Sequence, residues 1–301
     1  SPNKDKLMIP FEYRTPKSLK EVHQELKEFG ADAKLIAGGT ALVIMMKQRL
    51  VRPSSLISLR MVRGLNGIAE KDGALHICGL ATHREVETST LVRRRVPLLA
   101  ETYRHVATIR VRNMATVGGG LAHADPNQDP PPTLMVLGAT LKASSAGGSR
   151  VIALEEFFTD YYETVLKPDE IITEVSVPRL PANSGGAFVK FLPRTAEDYA
   201  TVSAAAVVIL DRARKIFTDV RIALGSVGTT PIRAREAEAV LRGQPVKREA
   251  LREAAEKVRQ AVDPVSDFRG SAAYKKEMAV VFVRRALEMA LDNLPKKSKA
   301  R

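Results

Sequence analysis

The sequence predicts an α+β chain in two domains, and three features carry that expectation. Residues 34–37 read as a short strand that runs into Gly38-Gly39-Thr40 and then an apolar helix. Two strongly β segments follow one another at 201–210 and 216–227, and three helical segments close the chain. Between the halves, residues 178–186 (Pro-Arg-Leu-Pro-Ala-Asn-Ser-Gly-Gly) read as a linker. The expected division is a first domain over 1–180, a smaller α+β domain of antiparallel sheet plus helices over 187–292, and a basic tail over 293–301.

The elements follow in order. Thr15 reads as an N-cap with Pro16 at the first helical position; Leu19, Val22, Leu26 and Phe29 keep helical spacing until Gly30. Residues 56–59 form a strand, and 68–77 a hairpin turning at Asp72-Gly73. Thr82 and Glu85 fit a capping box, and 97–106 a further helix. From 110 to 132 the pattern breaks into a long loop rich in Gly, Asp and Pro, a length that marks function or disorder. Order resumes at 134–143, and 171–177 is a strand. Helices are expected near 232–241, 248–262 and 274–291.

Composition narrows the function classes. At 301 residues, 45% hydrophobic and 27% charged, the chain is ordinary for a globular protein. Its single cysteine, Cys78, excludes an internal disulfide and any cysteine-ligated iron–sulfur cluster held by this chain alone. No apolar run is long enough to span a membrane and no signal peptide is evident, so a cytoplasmic location is expected. The net charge of +13 is spread over the chain, with a dense run only at 296–301. With no zinc pattern and no tryptophan, this reads as a basic surface suited to anionic ligands or an acidic partner, and no nucleic acid is expected.

Two glycine turns stand out, Ala37-Gly38-Gly39-Thr40 and Thr116-Val117-Gly118-Gly119-Gly120. Glycine admits positive φ and lets a ligand approach the backbone, and a turn that opens a helix directs N–H donors at an anion. Two such turns suit a diphosphate gripped from both sides, with Thr40 and Thr116 adding hydroxyls; neither matches the dinucleotide fingerprint or the P-loop. In the loop that follows, Asp125 and Asp129 are either acceptors for ribose hydroxyls or turn-forming residues before prolines. His123 and Asp125 lack a third ligand, so no metal site is expected.

At these residues the chain resembles a known family. Lys34-Leu35-Ile36-Ala37-Gly38-Gly39-Thr40 and Arg112-Asn113-Met114-Ala115-Thr116-Val117-Gly118-Gly119-Gly120 look like the two FAD-pyrophosphate motifs of the medium, FAD-binding subunit of molybdenum hydroxylases, the carbon monoxide dehydrogenase, 4-hydroxybenzoyl-CoA reductase and xanthine dehydrogenase type. Ile9-Pro10-Phe11-Glu12-Tyr13, Pro168-Asp169-Glu170-Ile171-Ile172, and Arg194 with Glu197-Asp198-Tyr199-Ala200 extend the likeness over nearly the whole chain. The resemblance implies a two-lobed FAD-binding domain of the vanillyl-alcohol-oxidase type with FAD extended between the lobes. Leu35, Ile36, Ala37, Gly38, Gly39, Thr40, Ala41 and Leu42 would surround the diphosphate, with Thr116, Val117, Gly118, Gly119 and Gly120 as the second turn. Asp129, with Asp125 nearby, would meet the ribose or adenosine, Ile172 would contact the flavin end, and Lys190 would stand by the pyrimidine side of the ring, with Tyr199 near it. Gly120 and Ala41 depart from the family's usual Asn and Asp or Glu.

The implied role is electron transfer inside a complex with an iron–sulfur small subunit and a molybdenum-cofactor large subunit, a dimer of heterotrimers, ending on an acceptor such as NAD or oxygen. No residue is expected to act as a general acid or base. The rival reading is a self-contained FAD oxidase or dehydrogenase, which would need its own base and a substrate pocket.

Overall fold

A computed structural model describes residues 9–192, 194–195 and 198–296. Glu197 of the Glu197–Ala200 motif and residues 297–301 of the basic tail lie outside the described residues. The fold is α+β, as the sequence predicts.

The first lobe holds β1 (Glu12–Arg14), α1 (Leu19–Phe29), β2 (Ala33–Ile36), α2 (Leu42–Lys47) and β3 (Ser55–Ser58), with the strands in a parallel sheet of order β1-β3-β2. Val22 and Leu26 of α1 pack on Ile57 and Leu59. Helix α1 starts at Leu19, not at Pro16. Ser18 Oγ accepts from the Glu21 N–H at 3.3 Å and the Glu21 carboxylate accepts from the Lys17 N–H at 2.7 Å, a reciprocal cap that outcompetes Thr15.

The second lobe begins with the hairpin β4 (Ile68–Lys71) and β5 (Ala74–Cys78), where Asp72 (φ 50°) and Gly73 (φ 76°) both take the left-handed conformation of a two-residue turn. Helices α3 (His83–Thr88), α4 (Thr90–Arg95) and α5 (Pro97–Arg104) follow, α3 with its capping box in place. The expected long loop over 110–132 is corrected: it is mostly three short helices, α6 (Ile109–Met114), α7 (Val117–His123) and α8 (Pro130–Val136). Thr108 and Thr116 cap the first two, and glycine's poor helix propensity is offset by packing. The Gly118 N–H donates to the Gly79 carbonyl at 2.8 Å, and a Cβ on Gly118 would stand 2.8 Å from that same oxygen. Strands β6 (Thr140–Ser145), β7 (Gly148–Ala153) and β10 (Ile171–Pro178) complete an antiparallel sheet of order β4-β5-β10-β6-β7, while β8 (Phe158–Asp160) and β9 (Glu163–Thr164) pair apart from it.

The C-terminal part is an antiparallel sheet of β11 (Ser184–Phe191), β12 (Val202–Leu210), β13 (Phe217–Gly225) and β14 (Ile232–Arg233), with α9 (Arg235–Leu241), α10 (Arg248–Ala261) and α11 (Ala272–Asp292). The expected linker stops at Asn183, because Ser184, Gly185 and Gly186 are already strand. A Cβ on Gly185 would overlap the Ala290 carbonyl, so glycine is what lets α11 lie on β11. Every residue of β12 is buried. Ala205, Val207 and Ile209 face the second lobe's core, while Ala204, Ala206 and Val208 face α10 and α11. The C-terminal sheet is thus a middle layer, buried on both faces, and it brings β11 against the helices that carry the candidate site. No helix among the described residues is long and apolar enough to cross a membrane.

Candidate functional site

The two glycine segments come together. A Cβ on Gly38 would overlap the Met114 carbonyl, so the β2–α2 turn rests directly on the junction between α6 and α7. A Cβ on Gly119 would stand 3.6 Å from the Ala37 Cβ. Leu35 and Ile36 end β2, Leu42 opens α2, and all eight positions from Leu35 to Leu42 are half-buried.

Their chemistry differs. Among the described residues, the N–H groups of Gly38, Gly39, Thr40 and Ala41 have no acceptor, and the Thr40 hydroxyl makes no hydrogen bond. Gly39 takes φ 69°, the left-handed conformation that favours glycine. In the second segment the amides are engaged. Val117 donates to the Ala81 carbonyl (2.9 Å), Gly118 to Gly79 (2.8 Å), Gly119 to Thr116 Oγ1 (3.1 Å) and Gly120 to the Thr116 carbonyl (2.9 Å). The hydroxyl hydrogen of Thr116 is left as its donor. The first segment thus leaves its amides unengaged, while the second spends its amides within the protein.

Asp129 and Lys190 form one buried ion pair. Lys190 Nζ donates to Asp129 Oδ2 at 2.8 Å and to the His105 carbonyl at 3.0 Å, with side chains 2% and 4% exposed. Asp129 Oδ1 has no partner among the described residues. Burial pushes the Asp129 carboxyl up to about 6, with Lys190 pulling the other way. Asp129 and Lys190, expected at the ribose or adenosine and at the flavin ring respectively, thus stand side by side, 2.8 Å apart. Neither charge is stable in a dry interior without the other.

Asp125 is occupied internally. Its Oδ1 accepts from the Asn127 N–H (2.9 Å) and Nδ2 (3.1 Å), and its Oδ2 from the Tyr162 hydroxyl (3.5 Å). These bonds form a tight turn at Asp125. The Ile172 carbonyl closes on Gly79, behind α7: a Cβ on Gly79 would overlap it. Tyr199 is 48% exposed, its ring centroid 6.0 Å from the Arg269 guanidinium.

Sequence reasoning missed His83 and Gln128. His83 is buried edge-on to Tyr103 (centroids 4.9 Å apart), and burial lowers its pKa to about 4. Gln128 Nε2 donates to the Gly120 carbonyl at 2.8 Å. A Cβ on Gly120 would stand 3.3 Å from both Gln128 Oε1 and His83 Nε2, so these two side chains fill the space above the glycine. Gln128 lay in the loop already singled out; His83 carried no local signal. Among the described residues no three His, Cys, Asp or Glu are grouped to hold a metal ion.

Two family descriptions match the chain: "FAD binding domain in molybdopterin dehydrogenase" over residues 9–180 and "CO dehydrogenase flavoprotein C-terminal domain" over 187–290. The carbon monoxide dehydrogenase medium chain of Hydrogenophaga pseudoflava is 35% identical, covering 94% of this chain and 98% of its own. The 6-hydroxypseudooxynicotine dehydrogenase complex subunit alpha of Paenarthrobacter nicotinovorans is 37% identical, covering 93% and 94%. Among solved structures, carbon monoxide dehydrogenase from Hydrogenophaga pseudoflava superposes with a TM-score of 0.93 at 36% identity over 96% of this chain and 100% of the other. Quinoline 2-oxidoreductase from Pseudomonas putida 86 gives 0.89 at 34% identity over 95% and 98%.

The chain belongs to the FAD-binding medium subunits of the carbon monoxide dehydrogenase and xanthine dehydrogenase family, the flavoprotein subunits of oxidoreductases. Its cofactor is FAD. The residues present fit such a group, since a row of unengaged amides stands beside two threonine hydroxyls and a glycine wall that side chains would fill.

Proposed function

We propose that this chain relays electrons within a molybdenum hydroxylase complex, between the iron–sulfur clusters of a small subunit and an external acceptor such as NAD or oxygen, with the molybdenum cofactor on a large subunit and the whole a dimer of heterotrimers. The observation that carries the reading is the unengaged amide row at Gly38–Ala41 pressed against α7, in a chain that matches a carbon monoxide dehydrogenase medium chain over 94% of its residues. FAD supplies a store for two electrons that accepts them one at a time.

The residues divide the work. The amides of Gly38, Gly39, Thr40 and Ala41, with Leu35, Ile36, Ala37 and Leu42 around them, hold the diphosphate, and the Thr40 and Thr116 hydroxyls donate to it. Val117, Gly118, Gly119 and Gly120 form the wall that keeps its space open. Lys190, held in place by Asp129, would present a fixed ammonium at the flavin end, and that cation would favour negative charge there. Ile172 supports α7 through Gly79, and Asp125 shapes the loop that leads to Asp129. The units that act are residues 1–180 for FAD and 187–292 as the covering domain, with 293–301 as a basic tail.

The test is to purify the chain, measure its flavin, and add candidate partner subunits. The reading requires stoichiometric FAD and substrate-driven electron transfer only in the assembled complex. A chain that takes up no FAD at micromolar concentration, or that alone oxidises a small organic substrate as fast as the complex does, contradicts it.

A further inference from the structure

The segment between α10 and α11 is braced from within. Asp267 and Gly270 exchange backbone hydrogen bonds of 3.1 Å, and Asp267 Oδ1 accepts from the Arg269 N–H at 2.8 Å. Lys275, buried on α11, donates to Asp267 Oδ1 and to the Val265 carbonyl, each at 2.8 Å. This brace presents Arg269, whose side chain is 12% exposed, to two segments of the candidate site. Arg269 Nη1 donates to Asn127 Oδ1 at 3.0 Å and to the Ala200 carbonyl at 3.3 Å. Asn127 holds Asp125 and sits two residues before Asp129, the partner of Lys190. Ala200 follows Tyr199, whose ring lies beside the same guanidinium.

We propose that Arg269 is a positioning residue: through it the C-terminal domain holds the 125–129 loop and the Tyr199–Ala200 segment in the arrangement that receives the flavin end of FAD. The proposal rests on the functional reading above. A guanidinium suits the task because its planar, always-charged group carries several donors and also lies against aromatic rings, as Arg269 does with Phe268, 5.0 Å from the ring centroid. Asn127 is joined to Asp129 through Gln128 alone, so the Arg269 contact reaches the loop with one residue between it and the buried ion pair. Among the described residues, Asp125, Asp129 and Asp267 are acidic groups around this node, and Lys190, Lys275 and Arg194, which shares the Phe268 ring with Arg269, are cations there.

The test uses the full-length chain as wild type, Arg269→Ala, Asn127→Ala and the double variant. FAD affinity is read from flavin fluorescence, the geometry of the bound flavin from its visible circular dichroism, and stability from thermal melting. Each single variant is expected to raise the FAD dissociation constant about tenfold or more, the size expected for losing a hydrogen bond to a charged group. Each is also expected to change the dichroism, and the double variant to add little to either. Free guanidinium at non-denaturing concentration should restore Arg269→Ala towards wild type. If wild type binds FAD and the folded variants bind it with unchanged affinity and dichroism, the proposal is overturned, even if melting falls, because Arg269 then only joins domains. Should Arg269→Ala not fold, Asn127→Ala alone decides by the same two readouts. A wild-type chain that takes up no FAD instead overturns the functional reading, and this proposal with it.

Discussion

At the residue scale, buried charge sets the behaviour. Asp129 has a folded pKa near 6 against an ordinary value of 3.8, so its ionisation is less favourable in the folded chain. It therefore contributes stability that is full below about pH 4 and lost as pH rises through 6. His83, lowered to about 4 from 6.5, acts oppositely: stability is lost as pH falls from about 6.5 through 4. The two slopes oppose each other over the same window. In FAD-free protein we expect a shallow pH dependence of the melting temperature there, with Asp129→Asn leaving the His83 slope and His83→Gln leaving the Asp129 slope. Identical profiles for both variants and wild type would sink this. Lys190→Ala strands Asp129, and a loss of about 3–5 kcal/mol is expected by denaturant titration, since breaking a buried pair leaves an uncompensated charge. In chain that still holds FAD, the same change should lower the flavin potential; an unchanged potential removes Lys190 from the redox role.

At the element scale, the two glycine segments do different work. Gly38→Ala should drive a methyl into the Met114 carbonyl and separate β2–α2 from α7, abolishing FAD uptake. Gly119→Val should meet Thr116 Oγ1 at 2.7 Å, spoil the α7 cap and close the gap to Ala37, with the same loss. Stoichiometric flavin in both purified variants would refute the paired-segment arrangement. These elements also show what the sequence made legible. The hairpin at Asp72-Gly73, the Thr82–Glu85 capping box and the β2–turn–α2 unit were readable because each signal is local. Helices α6 to α8 were not, because Gly118 is held by Gly79, a residue far away in the chain. The Lys190–Asp129 pair was hidden for the same reason: each residue was visible as a candidate, but the 2.8 Å between them is made by tertiary packing that brings β11 to the residue before α8. Gln128 and His83 above Gly120 are likewise products of tertiary packing.

At the scale of the whole molecule, the C-terminal sheet is the shared layer. One face completes the core of the second lobe and the other carries α10 and α11. Phe188, Ala205, Val207 and Ile209 belong to the same core as Leu134 and Val136, so residues 1–180 alone would expose apolar surface and lack Lys190. We expect a 1–180 fragment to bind FAD poorly and to aggregate; tight binding by that fragment would show the halves to be independent. Ile222→Ala, deep in the C-terminal core, should cost about 2–5 kcal/mol by the removal of buried methylenes. A melting curve with one cooperative transition, shifted as a whole by Ile222→Ala, is the expected signature of a continuous core. Two separable transitions would contradict it.

The relay claim is met most directly by following flavin absorbance in the purified FAD-loaded chain while reduced iron–sulfur subunit is added. The expected result is bleaching on that addition and recovery when an external acceptor follows. A flavin that ignores the reduced partner, but bleaches when an organic substrate is added to the chain alone, would contradict it.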